Sequence, residues 1–328
     1  MILITDLPLR YTLKITILAM VMFVAACKKD VLSPEKIGRV NVGTEGTLYD
    51  ILFINDSVGF IAGGERYLRS DLLTTTDGGE TWSLFHFGED AKKAVYKLSH
   101  VGEKIYAVGL DGKFITKRNS SSEWQYIQTA WWQWYESIIF PESDHGYIAV
   151  NMGFASGAIL QTDSLGNLFK IDSFPCSVSD LSFSSAETVY ACGYGTILKT
   201  EDGGATWKIQ EIAGDNFKSI CCIDNHVWAV GNNGSIVHSG NGGKTWEHQR
   251  NGNNLLIKKY RLNSVFFKDP ATGYASGDNG LLLKTTDGGA HWVEFEHFTD
   301  NDLMAVAPGP SGSIWVTGYK GTVFRIRE

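Results

Sequence analysis

The chain has 328 residues, 43% of them hydrophobic and 20% charged, with 36 glycines against 7 prolines and a net charge of −7. That is enough apolar material for a large core or a repeat array, and the glycine excess points to many turns rather than to disorder. An acidic surface does not invite nucleic acid, so no nucleic-acid partner is expected.

At the amino terminus Arg10 and Lys14 precede the apolar run Ile15 to Ala26, which is too short to span a bilayer. Val24-Ala25-Ala26-Cys27 closes the run with small residues before a cysteine. It resembles a bacterial lipoprotein signal, in which the cysteine is lipidated and becomes the new first residue. An ordinary signal peptide with an incidental cysteine is the alternative, and either one exports the protein. The chain then divides into a signal peptide with lipidated Cys27 (1–27), a short polar tether opening with Lys28-Lys29-Asp30 (28–36) and a folded domain (37–328). The multiple acylation implied by the resemblance would hold the domain at a membrane surface. Lys28 is not the aspartate that retains some lipoproteins at the inner membrane, which favours the outer membrane and leaves its periplasmic or outer face open.

Ile37 to Val42 reads as an orphan strand. Beyond it an aromatic residue followed three positions later by glycine recurs at Phe60/Gly63, Tyr106/Gly109, Tyr190/Gly193, Trp228/Gly231, Tyr274/Gly277 and Trp315/Gly318, and Tyr147 keeps the aromatic with Val150 in place of glycine. These are seven units, 38 to 46 residues apart. After each of the first six aromatic phrases comes a turn signal: TTTDGGETW (74–82), TKRNSSSEW (to Trp124), QTDSLGNLF (to Phe169), KTEDGGATW (199–207), HSGNGGKTW (238–246) and TTDGGAHW (285–292). Each unit reads as four short strands, exemplified by 262–267, 273–276, 281–285 and a strand starting at Trp292. Such units cannot bury both faces alone, and radial stacking of four-stranded sheets gives an all-β, seven-bladed β-propeller. The last unit stops after its third strand at Ile326, so the orphan N-terminal strand is expected to complete it and close the ring, removing two exposed edges. Blade boundaries fall near 47, 92, 132, 175, 214, 256 and 300.

The pair GYASGDNGLLLKTTDGGAHW and VYACGYGTILKTEDGGATW resembles the Asp-box (bacterial neuraminidase) repeat, and more closely the seven-bladed propellers of the photosystem II assembly and stability factor family. The resemblance covers nearly all of residues 37–328 and speaks to fold more than to function. Asp77, Asp202, Asn241 and Asp287 are read as structural turn caps accepting backbone amides, since asparagine in one copy could cap but not act as an acid. Trp82, Trp124, Trp207, Trp246 and Trp292, with Phe169, are read as core, one ring per blade.

Function is sought where the repeat breaks. The loop Glu65 to Asp71 is longer than its counterparts, and Arg66, Tyr67 and Arg69 in it could clamp a carboxylate or an acidic peptide group, or form a solvated charged loop. The connection Trp131-Trp132-Gln133-Trp134-Tyr135 has more aromatics than packing demands, and could stack on sugars or anchor a protein partner, with about half of it buried as strand. In the family resembled, an arginine-bearing surface contacts a protein partner, and Arg66 and Arg69 are the positions that could correspond.

A sialidase-like hydrolase is the competing reading. Resemblance to sialidases would imply a Phe-Arg-Ile-Pro phrase near the start, whereas Phe324-Arg325-Ile326-Arg327 lacks the proline and lies in the final strand. Facing carboxylates could come from Asp111 and Asp278, though both occupy Asp/Asn-Gly turn positions. The histidines are scattered, so no metal site is expected. No catalytic residue and no cofactor is assigned. Cys176, Cys192, Cys221 and Cys222 show no metal-ligand spacing and are expected as buried free thiols. The reading is a non-catalytic scaffold that binds a protein segment or an envelope complex, with a glycan ligand or an Asp-box glycoside hydrolase as the alternative.

Overall fold

A computed structural model describes residues 31–33, 36–121, 123–254 and 259–327. The signal segment, Cys27 and Lys28 to Asp30 lie outside the described residues, which contain strands, turns and four short 3-10 turns but no α-helix. Each repeat becomes an up-and-down antiparallel sheet. Leu262–Phe267 pairs with Gly273–Gly277, that strand with Leu282–Thr285, and the last with Val293–Phe295. Most sheets have four strands. One has six, because Lys208–Ile223 continues without a break, pairing first with Val189–Thr200 and then with His226–Gly231.

Two pairings involve the amino-terminal segment. Lys36–Arg39 runs antiparallel to Thr322–Arg327 with Ile37 opposite Ile326, and the Val40 amide donates to the Val323 carbonyl at 2.9 Å. Val31–Leu32 lies parallel to Glu294–Phe295 as an outermost fifth strand, a contact that the polar tether did not suggest.

Apolar clusters join neighbouring sheets. Leu48, Ile51, Ile61 and Leu73 from the amino-terminal sheet pack with Ala305, Trp315 and Val323 of the carboxy-terminal one. The deepest rings are the second-strand aromatics: Phe60, Tyr106, Tyr147, Tyr190, Trp228, Tyr274 and Trp315 are all at most 1% exposed. The turn-box rings are shallower than expected. Trp124 is buried, but Trp82, Trp207, Trp246 and Trp292 are half-buried, and Phe169 is 58% exposed and does not belong to the core. The cause is position: a box ring opens an outer strand covered on one side, while the second strand is flanked by strands on both sides. Trp82, Trp207 and Trp292 lie edge-on against Phe53, Phe174 and Phe267.

The second glycine of the box has a packing cause as well as a turn cause. A Cβ on Gly79, where φ is +87°, would fall 2.4 Å from Cη2 of Trp315 in the carboxy-terminal sheet. Cys176, Cys192, Cys221 and Cys222 are free thiols, the first two buried and the others half-buried.

Candidate functional site: the channel and its mouth

Seven first strands among the described residues bulge at the same place. The pairing register skips one residue after Leu48, Val95, Tyr135, Val178, Phe217, Leu262 and Leu303. A bulge re-aims the side chain it skips, here Tyr49, Tyr96, Glu136, Ser179, Lys218, Asn263 and Met304, and all seven line one cavity of about 460 Å³. On four of these strands the next residue stitches sheets together. Asp50 accepts the Leu98 amide at 2.9 Å, Asp180 the Ile220 amide at 3.2 Å, Ser219 the Val265 amide and Ser264 the Val306 amide, both at 3.3 Å.

Charge is concentrated in this channel. Asp180 also accepts the hydroxyls of Ser137 at 2.7 Å and Ser219 at 3.0 Å, and Lys97 Nζ lies 3.3 Å from it. Burial disfavours the Lys97 charge, but the Asp180 and Asp50 carboxylates outweigh it and its pKa ends above the ordinary value. Burial raises Asp50 despite Lys97, and raises Glu136 despite Lys218. No sequence motif singled these residues out. The available signal was an apolar–any–small or charged–apolar phrase in every first strand, as in Leu48-Tyr49-Asp50-Ile51, Val95-Tyr96-Lys97-Leu98 and Val178-Ser179-Asp180-Leu181.

At one mouth of the channel the two irregular stretches meet. The Arg66 guanidinium lies 4.2 Å over the Trp134 ring and 5.4 Å from the Tyr67 ring, a cation–π stack. The Arg66 carbonyl accepts the Ala94 amide at 3.0 Å, so the long loop is pinned over the neighbouring sheet. Arg66 and Trp134 both line the channel cavity, and Trp134 also lines an adjoining hollow of about 570 Å³ with Met152, Phe154 and Lys218. Tyr67 and Trp132 are exposed, at 48% and 67%. Arg69 turns the other way. Its Nε donates to the buried Asp71 carboxylate at 2.8 Å and its Nη2 to Thr44 Oγ1 at 3.1 Å. Tyr135 is a correction to the aromatic contact set: its ring is fully buried and its hydroxyl donates to the Trp131 carbonyl at 2.8 Å, because strand alternation turns it into the core. Trp131 packs half-buried beside it.

The four intact boxes share one geometry. In the first, Asp77 Oδ1 accepts the Thr81 amide at 2.9 Å, Oδ2 accepts the Thr81 hydroxyl at 2.6 Å, and Thr75 Oγ1 accepts the Gly79 amide at 2.9 Å. Asp202 repeats it with Thr206, Asp287 accepts the His291 amide in the same way, and Asn241 accepts the Thr245 amide while its own side-chain amide donates to the Thr245 hydroxyl at 2.8 Å. Asn119 directs its amide to the Gly102 carbonyl instead. Hydrogen bonds from Thr81, Thr206 and His291 hold Asp77, Asp202 and Asp287 down to about 2. These folded values lie below the ordinary carboxylate value near 4. Their contribution is therefore present above about pH 4 and is lost as pH falls toward 2. A thermal melt series from pH 5 to 2 should show the midpoint falling more steeply in wild type than in the Asp77→Asn/Asp202→Asn/Asp287→Asn variant; parallel curves would contradict the cap assignment.

A family model described as photosynthesis system II assembly factor YCF48 matches residues 30–170 and 216–318. The chain belongs to the YCF48 family. A relative in Synechococcus sp. (strain CC9902), named photosystem II assembly lipoprotein Ycf48, is 23% identical over 309 residues, 87% of this chain and 89% of that one. A solved structure of YCF48 bound to D1 peptide matches at a TM-score of 0.72 with 17% identity, covering 92% of this chain and all of the other. The WD40 repeats of RRP9 match at 0.73 with 11% identity, over 91% and 99%. The fold is thus a β-propeller. An assembly factor of the YCF48 family is not an enzyme, and the hydrolase alternative is not favoured. Asp111 contacts Lys93 and adopts φ +58°, while Asp278 accepts a hydrogen bond from the Asn263 side-chain amide at 3.1 Å, so each carboxylate is engaged by a side chain from outside its own turn.

Proposed function

We propose that this chain is an exported, lipid-anchored assembly factor that binds a protein segment across the channel mouth beside Arg66 and Trp134. The observation that carries the reading is the Arg66–Trp134 stack, which brings the two breaks in the repeat together at the edge of a charged cavity. A protein segment fits this mouth: the cation meets a carboxylate, Tyr67, Trp132 and Trp134 offer apolar area, and Lys218 and Arg261 extend the basic rim. Arg69 and Trp131 act behind them, holding the loop and the connection in place. The D1 peptide bound in the similar YCF48 structure supports a peptide as the class of ligand.

The domain is a seven-bladed ring spanning residues 37–328. Seven bulged strands around one cavity support the count, and the pairing of residues 36–39 with Thr322–Arg327 supports closure of the last blade by the amino-terminal strand. Cys27 carries the lipid, in keeping with the lipoprotein name of the Synechococcus relative, and Lys28 favours the outer membrane.

A peptide array tiled over envelope proteins tests the ligand class. Acidic segments with apolar neighbours should bind, and Arg66→Ala should weaken binding by about tenfold or more, the loss of roughly 1.4 kcal/mol or more that an anchor residue carries. Arg69→Ala should act through stability instead. Unchanged hits and affinities for an Arg66→Ala/Trp134→Ala variant that melts like wild type would sink the assignment of the mouth.

A further inference from the structure

We propose that the lipid-bearing end of the chain is clamped to the propeller on its Asp-box side, so that this face meets the lipid headgroups and the Arg66–Trp134 mouth opens away from them. The inference rests on the lipid-anchor reading above and adds to it an orientation.

The clamp is the short parallel pairing of Val31 with Glu294 and Leu32 with Phe295. The Leu32 carbonyl accepts the Glu296 amide at 2.8 Å, and the Ser33 hydroxyl donates to Glu296 Oε2 at 3.0 Å. Leu32 also packs against the apolar cluster of Tyr274, Leu282 and Phe295. Three residues separate Cys27 from Val31, four steps along the chain that reach at most about 14 Å even when fully extended. The anchor therefore cannot wander to the far side of the domain.

Direction follows from the parallel register. The strand Val293–Phe295 leaves the box turn Asp287 to Trp292, so a parallel partner also enters from the box end. Box turns and the turns after first strands form one face, joined by Gly288 to Ala271, Gly78 to Ser57 and Gly242 to Asn225 amide–carbonyl bonds of 2.7–2.8 Å. Second-to-third-strand turns and the links between units form the other, joined by Gly112 to Gln133 and Gly321 to Gly46. Arg66, Tyr67, Trp132 and Trp134 belong to the second face, and the anchor enters from the first.

Basic side chains also stand at the anchored end. Lys28 and Lys29 adjoin Cys27, Lys36 and Arg327 face each other exposed at the end of the closing strand pair, and Lys268 is exposed in a turn of the clamped sheet. Asp269 is turned in on the Ala271 and Thr272 amides and Asp287 on its own box, while Asp56, Asp77 and Glu80 share a hollow with Arg327, so the clamp and its register rather than net charge set the orientation. A lipid-held protein oriented this way offers its mouth to partners arriving from the aqueous side.

The test uses the full acylated protein on phosphatidylethanolamine–phosphatidylglycerol vesicles, with a membrane-impermeant lysine reagent read by mass spectrometry before and after the vesicles are dissolved in detergent. Lys36 and Lys268 should be labelled several-fold less on vesicles, and Lys320, exposed on the opposite face, equally in both states. A flexible Gly/Ser insert between Asp30 and Val31 should abolish the difference. Protection of Lys320, equal labelling of all three, or protection that survives the insert overturns the orientation. The mass of the amino-terminal peptide separates the two readings. Absence of acyl groups on Cys27 defeats the anchor itself, whereas acylated protein with the wrong labelling pattern defeats only its orientation.

Discussion

Trp315→Ala should lower the unfolding free energy by about 3–5 kcal/mol, read as a shift of the urea midpoint at unchanged slope. The ring is fully buried, its Nε1 donates to Ser313 Oγ at 3.0 Å, and it packs 5.1 Å from Phe53 and 6.1 Å from Trp82. It also fills the space that Gly79 leaves by having no side chain. Truncation therefore opens a cavity at the junction of the first and last sheets, where Ala305 stands at the position that stitches sheets elsewhere and side-chain packing carries the contact. Trp292→Ala should cost less, because that ring is half-buried at the head of an outer strand. If Trp292 proved the costlier position, the ranking of second-strand over box aromatics would be wrong.

That ranking marks where sequence reasoning reached its limit. The copies of the TTDGGAHW phrase revealed four-stranded units because turn chemistry is local: Asp287 caps amides four residues away or fewer, and the signal survives in any alignment of the chain with itself. Depth is not local. Trp292 at the head of an outer strand and Tyr274 within an inner one are both aromatic residues of strand-like runs, and only the position of the strand within its sheet makes the second fully buried. The same holds for function. The Arg66 loop and the Trp131–Tyr135 connection each stood out by composition, but their meeting at 4.2 Å depends on how sheets stack, and the fate of Arg69, three residues from Arg66, depends on a buried Asp71 beside it. The channel set was harder to see because each first strand supplies at most two polar residues at its two channel positions, within an apolar run.

Asp180→Ala should be the most damaging change in the channel, costing about 3–5 kcal/mol. The side chain is 6% exposed and serves four donors on three other strands: the Ser137 and Ser219 hydroxyls, the Ile220 amide and Lys97 Nζ. Its loss leaves those donors without their carboxylate and leaves the Lys97 charge inside a ring of protein whose cavity water reaches only 30% of the side chain. Lys97→Met removes the cation while Asp180 keeps its three hydrogen bonds, so it should cost less alone and should soften the effect of Asp180→Ala when combined with it. The coupling expected for such a contact is roughly 0.5–3 kcal/mol, obtained from the four denaturation curves of the cycle. A strictly additive pair would mean that channel water, rather than Asp180, solvates Lys97. The carboxylate would then act only as a stitch between inner strands, as Ser264 does toward Val306.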